Sequence, residues 1–292
     1  MKNLFIALLC FLAAPLLAET PSPRLEYLPN IPIIQTSELT LELTQSLPGL
    51  KLNANANQTL TATLSIVGEQ SGIPMTQPPL TLKFVLKDLK INLKSNNEEV
   101  KFDVKDPKSA LELAQLARIV DRPIELRFGK NFELQNHPEE LQQILRELPM
   151  LQEFRPESLL QELFQHLFAF ADKDLAVGLQ IQQRGPIHPL SSEAPIINYE
   201  ITSLNDQEVR ASIAGKMDKQ TIQLKHPLAN GTVEPIEFTL MGALKGNATW
   251  NRHHALIYQL DVEYTYTGLF KIAEANWLTS VLLRHKIESK KS

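Results

Sequence analysis

Strict alternation of apolar and polar residues is the feature that most constrains how this chain can fold. Over residues 256–266 every second position is apolar, the members being Leu256, Tyr258, Leu260, Val262, Tyr264 and Tyr266. A period of two places successive side chains on opposite faces of a strand, so this pattern predicts a strand with one buried and one solvated face. The same pattern at residues 39–44 and 60–66 predicts antiparallel strands near the other end of the chain.

Two irregularities in these runs predict that the sheet is curved. Over residues 80–86 the apolar residues share one phase, but the apolar set resumes one position late at Leu89. A continuous strand would turn the second set to the opposite face, so we expect a β-bulge near Lys87 and Asp88. Residues 236–250 keep a single phase through Gly242 and Gly246, and glycines inside a strand indicate a bend or a close backbone approach.

The middle of the chain changes to helical spacing. Pro107, Pro138 and Pro156 each precede apolar residues that recur every three or four positions, which predicts three amphipathic helices within residues 107–170. The third helix is expected to carry the broadest apolar stripe, and such a stripe must be covered by other apolar groups. The candidate residues facing an apolar ligand are therefore Leu160, Leu163, Phe164, Leu167 and Phe168.

These elements predict an α+β fold. We expect a large curved antiparallel sheet or half-open β-barrel with three amphipathic helices inserted between two β-meanders. The predicted organisation is a signal peptide at 1–18, a proline-rich extended lead-in at 19–35, a single α+β domain at 36–288 with its helical insert at about 107–170, and a basic tail at 289–292.

The first eighteen residues have the layout of a secretory signal peptide. Lys2 provides a positive charge, residues 4–17 are uncharged and mostly apolar, and Ala18 precedes Glu19. We therefore expect an exported protein, periplasmic or secreted after cleavage near Ala18, with no transmembrane segment in the mature chain. The one cysteine, Cys10, lies inside the signal, so a disulfide in the mature chain is not expected.

Charge and motif content favour a non-enzymatic protein. The formal net charge is −4 and the lysines are scattered, whereas nucleic-acid binding needs a basic face, so no nucleic-acid partner is expected. The sequence presents no spacing typical of a nucleophile with its base, of a metal site or of a cofactor site. His253 and His254 are interpreted as turn histidines that do not join His285 in a metal site, and His166 as a hydrogen-bonded core or edge histidine.

Three segments carry a resemblance to a known family. They are residues 123–134, which read PIELRFGKNFEL, residues 159–177 and residues 242–268. In the pattern of these segments the chain resembles an uncharacterised family of secreted bacterial β-rich proteins, classified as a domain of unknown function. The resemblance implies an exported β-rich protein and no known activity or site residues. The predicted architecture is also similar to that of periplasmic carriers that hold acyl chains between a curved sheet and helices.

The leading hypothesis is an exported, non-enzymatic protein that binds a lipid or another apolar ligand between the curved sheet and the helices. The alternative is a structural or protein-interaction component of the cell envelope, whose partner would be another envelope protein. An outer-membrane barrel is a third hypothesis, disfavoured by the predicted helices and by the Lys290-Lys291-Ser292 terminus.

Overall fold

The computed structural model describes residues 23–47, 50–68, 80–95, 98–106, 117–118, 120–129, 134–136, 166–171, 173–185, 194–227, 233–254, 256–272 and 275–291. Of these described residues, 76% lie in strands. The strands form one antiparallel sheet of eleven members. They are β1 (Ile33–Leu47), β2 (Leu50–Val67), β3 (Leu80–Ser95), β4 (Glu98–Asp103), β5 (Pro123–Phe128), β6 (Gln180–Arg184), β7 (Ile196–Leu204), β8 (Glu208–Pro227), β9 (Val233–Asn251), β10 (Ile257–Ile272) and β11 (Ala275–Lys291).

The first and last strands of the chain meet in the middle of the sheet. The strand order is β4-β3-β2-β1-β11-β10-β9-β8-β7-β6, and β5 pairs with β3 beside this path. Strand β1 pairs with β11 from Ile33 opposite Lys291 to Ser46 opposite Leu278. Two meanders, β1–β4 and β6–β11, are therefore joined edge to edge by their first and last long strands.

The predicted α+β class with three helices is wrong for the part of the chain that the structure describes. Its only helical residues are a short 3₁₀ turn at 117–118. Where the end of the third predicted helix is described, at residues 166–171, the chain makes consecutive turns, and the Ala171 N–H donates to the Phe168 carbonyl at 3.1 Å. All six side chains of this segment are buried. A short apolar run that is buried on every side does not distinguish a helix from other buried structure, which is why the helical pattern misled.

The predicted bulge near Lys87 and Asp88 is confirmed. Thr61 is opposite Asp88 while Ala62 is opposite Leu86, so Lys87 is the extra residue in β3. The bulge resets the phase of the strand, and Leu86 and Leu89 are consequently both buried.

A second bulge breaks the alternation that the sequence suggested for residues 256–266. In the pairing of β9 with β10, Ile257 is opposite Trp250 and Gln259 is opposite Thr249, so Tyr258 is the extra residue. Ile257 is accordingly buried, whereas Tyr258 is 44% exposed. The expectation of an unbroken apolar face through Tyr258 is therefore wrong, because a bulge shifts the phase of every residue on one side of it.

The core lies on one face of the sheet, which we call the inner face. Its fully buried members include Leu64, Leu82, Tyr199, Val262 and Tyr264. Residues 23–32, 166–171 and 173–175 complete the core at one end of the strands. Leu25 and Tyr27 are fully buried, and the Leu175 N–H donates to the Pro23 carbonyl at 2.8 Å. The lead-in therefore contributes to the core.

Close backbone approach at the strand glycines is confirmed for β9. A Cβ atom at Gly242 would lie 2.5 Å from the Tyr266 ring, and one at Gly246 would meet the backbone of Val262 at 2.8 Å. The Tyr266 ring therefore covers the glycine opposite it, an arrangement by which an aromatic residue fills the space beside a strand glycine.

Candidate functional site

A buried histidine joins two strands that are distant in the sheet. The His166 Nδ1 lies 2.8 Å from the Tyr199 hydroxyl on β7, and its Nε2 lies 3.2 Å from the Tyr264 hydroxyl on β10. A neutral imidazole has one donor and one acceptor nitrogen, and a tyrosine hydroxyl can take either role, so both nitrogens are satisfied without a charge. The Trp250 Nε1–H also donates to the His166 carbonyl at 3.0 Å.

Aromatic rings hold the turn that carries His166. The Phe170 ring meets the Trp250 ring edge-on, with centroids 5.1 Å apart and planes at 87°, and meets the Tyr199 ring at 6.1 Å and 76°. Edge-to-face pairs at these separations are favourable beyond their area of burial. The turn is thereby fixed against the inner face.

Burial keeps this cluster uncharged near neutral pH. Burial lowers the pKa of His166 to about 3, with a smaller contribution from His285, and raises the pKa of Tyr199. Neither group changes its protonation between pH 5 and pH 9. The cluster is therefore suited to fixing structure, whereas proton transfer at neutral pH needs a group that titrates there.

A serine and a second histidine form another buried polar pair on the inner face. The Ser37 Oγ on β1 lies 2.9 Å from the His285 Nε2 on β11. The His285 Nδ1 is buried and has no hydrogen-bond partner within the described residues, so the pair lacks the orienting acid of a catalytic triad there. Burial also lowers the pKa of His285 to about 4, which makes it a weak general base.

Beside this pair the inner face changes from fully buried to half-buried. The change occurs across β2, β1 and β11, at a group that we call the apolar strip: Leu39, Leu41, Leu60 and Val281. Leu39 is opposite His285 and Leu41 is opposite Leu283 in the register. These residues are packed against the core but keep part of their side chains accessible.

The surroundings of the apolar strip are uncharged. Within the described parts of β1, β2, β10 and β11, the inner-face positions hold no Asp, Glu, Lys or Arg except Lys291, the last residue of β11, which lies ten residues from Val281. Two positions beyond Val281, the Thr279 side chain is buried, and its hydroxyl has no hydrogen-bond partner among the described residues. The strip thus lies between two polar atoms of β11, the His285 Nδ1 and the Thr279 Oγ1.

The candidate ligand-facing residues of the sequence analysis are placed only in part. Leu160, Leu163 and Phe164 lie outside the described residues. Leu167 and Phe168 are buried, and the Phe168 ring contacts the rings of Phe128 at 4.7 Å and Tyr27 at 6.0 Å. These two residues therefore pack within the core.

The histidines singled out in the sequence lie in different surroundings. His253 and His254 are in the turn between β9 and β10, where the His253 Nδ1 lies 3.4 Å from the Glu26 Oε2. His285 is bonded to Ser37 in the interior. Among the residues that the structure describes, no group of three or more His, Cys, Asp or Glu side chains could hold a metal ion.

Sequence reasoning missed the apolar strip and the Ser37–His285 pair. The alternation at residues 39–43 contained the signal for the strip, but whether an inner-face residue is fully or half-buried depends on what covers it. Within the described part of the chain, no helix is both long and apolar enough to cross a membrane.

Comparisons with known proteins do not assign a family. No protein-family model and no curated protein matches the chain. A structure on lipid–protein interactions in lipovitellin aligns with a TM-score of 0.44 and 10% identity over 89% of this chain and 25% of that chain. The Pseudomonas putida toluene transporter TodX aligns with a TM-score of 0.19 and 10% identity over 90% of each chain. DynF from Micromonospora chersina aligns with a TM-score of 0.16 and 9% identity over 92% of this chain and 86% of that chain.

This chain therefore spans about a quarter of the length of the lipovitellin chain it matches. At TM-scores below 0.5, these similarities carry no argument about fold family or function.

Proposed function

We propose that this protein is an exported, non-enzymatic protein that binds a lipid or another apolar ligand at the apolar strip. The observation that supports the proposal is the half-burial of Leu39, Leu41 and Val281 on an inner face that bears no formal charge in this region. An ordinary core would bury such residues fully, as the same face does at Leu64 and Val262. The proposed ligand site consists of strand residues alone and does not include the three helices predicted from the sequence.

The dimensions of the strip suit an acyl chain. From the row of His285 to the row of Thr279 the sheet extends six residues, or about 20 Å at 3.4 Å per residue. Covering about ten methylenes there would contribute about 8 kcal/mol at 0.8 kcal/mol each. Part of this is offset by the ordering of the ligand on binding, so we expect an affinity of about micromolar or weaker.

The test is ligand binding by matched variants. A fluorescent long-chain acyl probe is titrated into the purified protein, and native mass spectrometry records any ligand retained from expression. Leu41→Gln, in the centre of the strip, is expected to weaken probe binding about tenfold, because it places an amide against the acyl chain. Thr40→Gln adds the same group one residue away on the opposite face and is expected to leave binding unchanged.

Recovery of the bare chain mass together with no probe binding by the wild-type protein would contradict the proposal. Equal loss of binding in Leu41→Gln and Thr40→Gln would also contradict it, because a site on the inner face responds only to the first. Thermal unfolding of each variant identifies a loss that comes from misfolding.

A structural or protein-interaction role in the cell envelope is the second candidate, and the edge strand β6 favours it. Among the described residues β6 pairs only with β7, through Gln180 opposite Glu200 to Arg184 opposite Ile196. An edge strand offers unpaired backbone N–H and C=O groups to a partner strand. Crosslinking from envelope fractions tests this role, and the absence of any reproducible crosslinked partner would refute it.

A further inference from the structure

The face of the sheet opposite the core, which we call the outer face, carries a contiguous group of uncharged side chains on three central strands. Met241 on β9, Leu269 on β10 and Leu278 on β11 are large apolar residues with exposures of 47%, 42% and 47%. We call the whole group the uncharged patch. It comprises Thr239, Met241, Ala243, Thr265, Thr267, Leu269, Leu278, Ser280 and Leu282.

The strand register makes these residues neighbours. Leu269 is directly opposite both Leu278 on β11 and Thr239 on β9. Thr267 is opposite Met241 on one side and Ser280 on the other, and this row forms the middle of the patch. Single exposed apolar residues are ordinary on protein surfaces, but a contiguous exposed group marks an interaction site.

Charged residues of both signs lie at each end of the patch along the strands. At one end is a row of three ion-paired residues, in which the Glu263 carboxylate lies 3.4 Å from the Lys245 Nζ and 3.2 Å from the Arg284 Nε. At the other end, four residues from Met241 on β9, is the exposed carboxylate of Glu237, and Lys271 on β10 is opposite it in the register. Lys245 is also four residues from Met241, in the opposite direction.

We propose that a second copy of this chain docks on the uncharged patch, with the outer faces packed together. The twofold axis would run across the strands along the row of Met241, Thr267 and Ser280. Such an axis places each strand antiparallel to its own copy, so Glu237 faces Lys245 of the second copy and the reverse contact forms as well. Leu278 then faces Leu282 of the second copy. Each charged contact therefore forms twice, once from each copy. An isologous interface, in which both copies use the same surface, requires such complementarity of the surface with itself.

The available area agrees with a stable dimer. The interface would extend past the patch onto β8 and β1, where Lys216 lies beside Ala243 and Glu42 beside Leu282. Five strands from β8 to β1 are about 24 Å wide, and the eleven residues from Glu237 to Asn247 extend about 34 Å, which gives about 800 Å² per copy. Stable interfaces bury about this area on each partner. Two sheets packed face to face keep their strand directions within about 30°, which the antiparallel arrangement satisfies. The headgroups of a lipid surface are mobile and hold no fixed arrangement of charges that would match Glu237 and Lys245 at their spacing.

A charge swap tests the interface. In sedimentation velocity at low salt the wild-type protein is expected to form a dimer. Glu237→Lys should weaken the dimer at least tenfold, because it places two lysines together, and Lys245→Glu should act likewise. The double variant Glu237→Lys/Lys245→Glu should recover much of the wild-type dimer, since the two charges that face each other are exchanged, although each copy loses its Lys245–Glu263 ion pair. Glu288→Lys, an exposed change on β11 beyond the patch, is the matched control and should have no effect.

Crosslinking gives an independent test. The chain has one cysteine, so a Cys10→Ser background removes every thiol. In that background Thr267→Cys, on the proposed axis, should be joined to its own copy by a short bismaleimide, because sheets packed face to face are about 10 Å apart and a direct disulfide would be too short. Asn247→Cys on the same face should not be joined.

A wild-type protein that stays monomeric at 100 μM (on the order of a weak interface's Kd) would overturn the proposal, as would a double variant no better than the single variants. If a monomer instead floats with neutral phosphatidylcholine vesicles and Leu278→Glu abolishes flotation, the patch binds a lipid surface and the dimer is refuted. These outcomes do not depend on the inner face, so the proposed ligand site can fail while the dimer stands, and the reverse.

Discussion

Acid should destabilise this protein through its two buried histidines well before its carboxylates become protonated. Burial lowers the pKa of His166 to about 3 and that of His285 to about 4, from an ordinary value of 6.5. In the unfolded chain both imidazoles bind a proton as the pH falls below 6.5, whereas in the folded protein they stay neutral. Stability that is fully present above pH 6.5 is therefore lost as the pH falls towards the folded values.

The size of the loss at pH 5 is nearly independent of the exact folded pKa values, because both lie below 5. Protonation of one unfolded-state imidazole over the interval from pH 6.5 to pH 5 costs the folded state about 2 kcal/mol. The two histidines together should therefore lower the free energy of unfolding by about 4 kcal/mol between pH 7.5 and pH 5. Such a loss is a large part of the 5–15 kcal/mol typical of a folded domain.

Urea unfolding at the two pH values measures this loss. His166→Gln and His285→Gln should each reduce the pH-dependent loss to about 2 kcal/mol, whatever their effect at pH 7.5, since each removes one titrating group. Burial also lowers the pKa of His254, which adds to the loss equally in all these variants. A wild-type loss below about 1 kcal/mol, or the full wild-type loss in both buried-site variants, would refute the reasoning.

Two further predictions concern packing. Gly242→Ala should lower the free energy of unfolding by about 1–3 kcal/mol, since the new Cβ would lie 2.5 Å from the Tyr266 ring; an unchanged urea midpoint, equal to that of the exposed neighbour variant Ala243→Ser, would contradict it. Trp250→Phe should cost about 1–3 kcal/mol by leaving the His166 carbonyl without its 3.0 Å donor, and near-ultraviolet circular dichroism should show whether the aromatic contacts around Phe170 survive.

The strands were largely predictable because a period of two reports directly which face a residue occupies. The slip between Leu86 and Leu89 even located the extra residue at Lys87, since a bulge is the economical way to keep both leucines buried. At Tyr258 the same reasoning failed. A tyrosine can lie on either face of a strand, so the sequence did not indicate that the alternation shifts by one residue at this position.

The alternation of apolar and polar residues indicates which side chains of a strand share a face, but it does not indicate which other strand pairs with it. The pairing of β1 with β11 joins opposite ends of the chain, and no local pattern indicates it. The candidate site depends on such distant pairings, as Ser37 and His285 are 248 positions apart and His166 and Tyr264 are 98 apart. The helical interpretation failed at residues 166–171 for a related reason. The apolar residues of this segment are buried against strands that are distant in the sequence, so their apolar character does not indicate a helix.

The most direct test of the account is whether an acyl chain lies on the inner face beyond the core. The chain has two tryptophans, and their positions separate the strip from the core. Trp277 is half-buried on β11, four residues beyond Val281, whereas Trp250 is fully buried beside His166. The proteins Trp250→Phe and Trp277→Phe each retain one of them.

Titration with a brominated long-chain acyl ligand, which quenches nearby indole fluorescence, then locates the ligand. The account predicts strong quenching in Trp250→Phe, where Trp277 reports, and little in Trp277→Phe. Quenching of Trp250 alone, or of neither tryptophan at saturating ligand, would contradict a ligand site on the apolar strip.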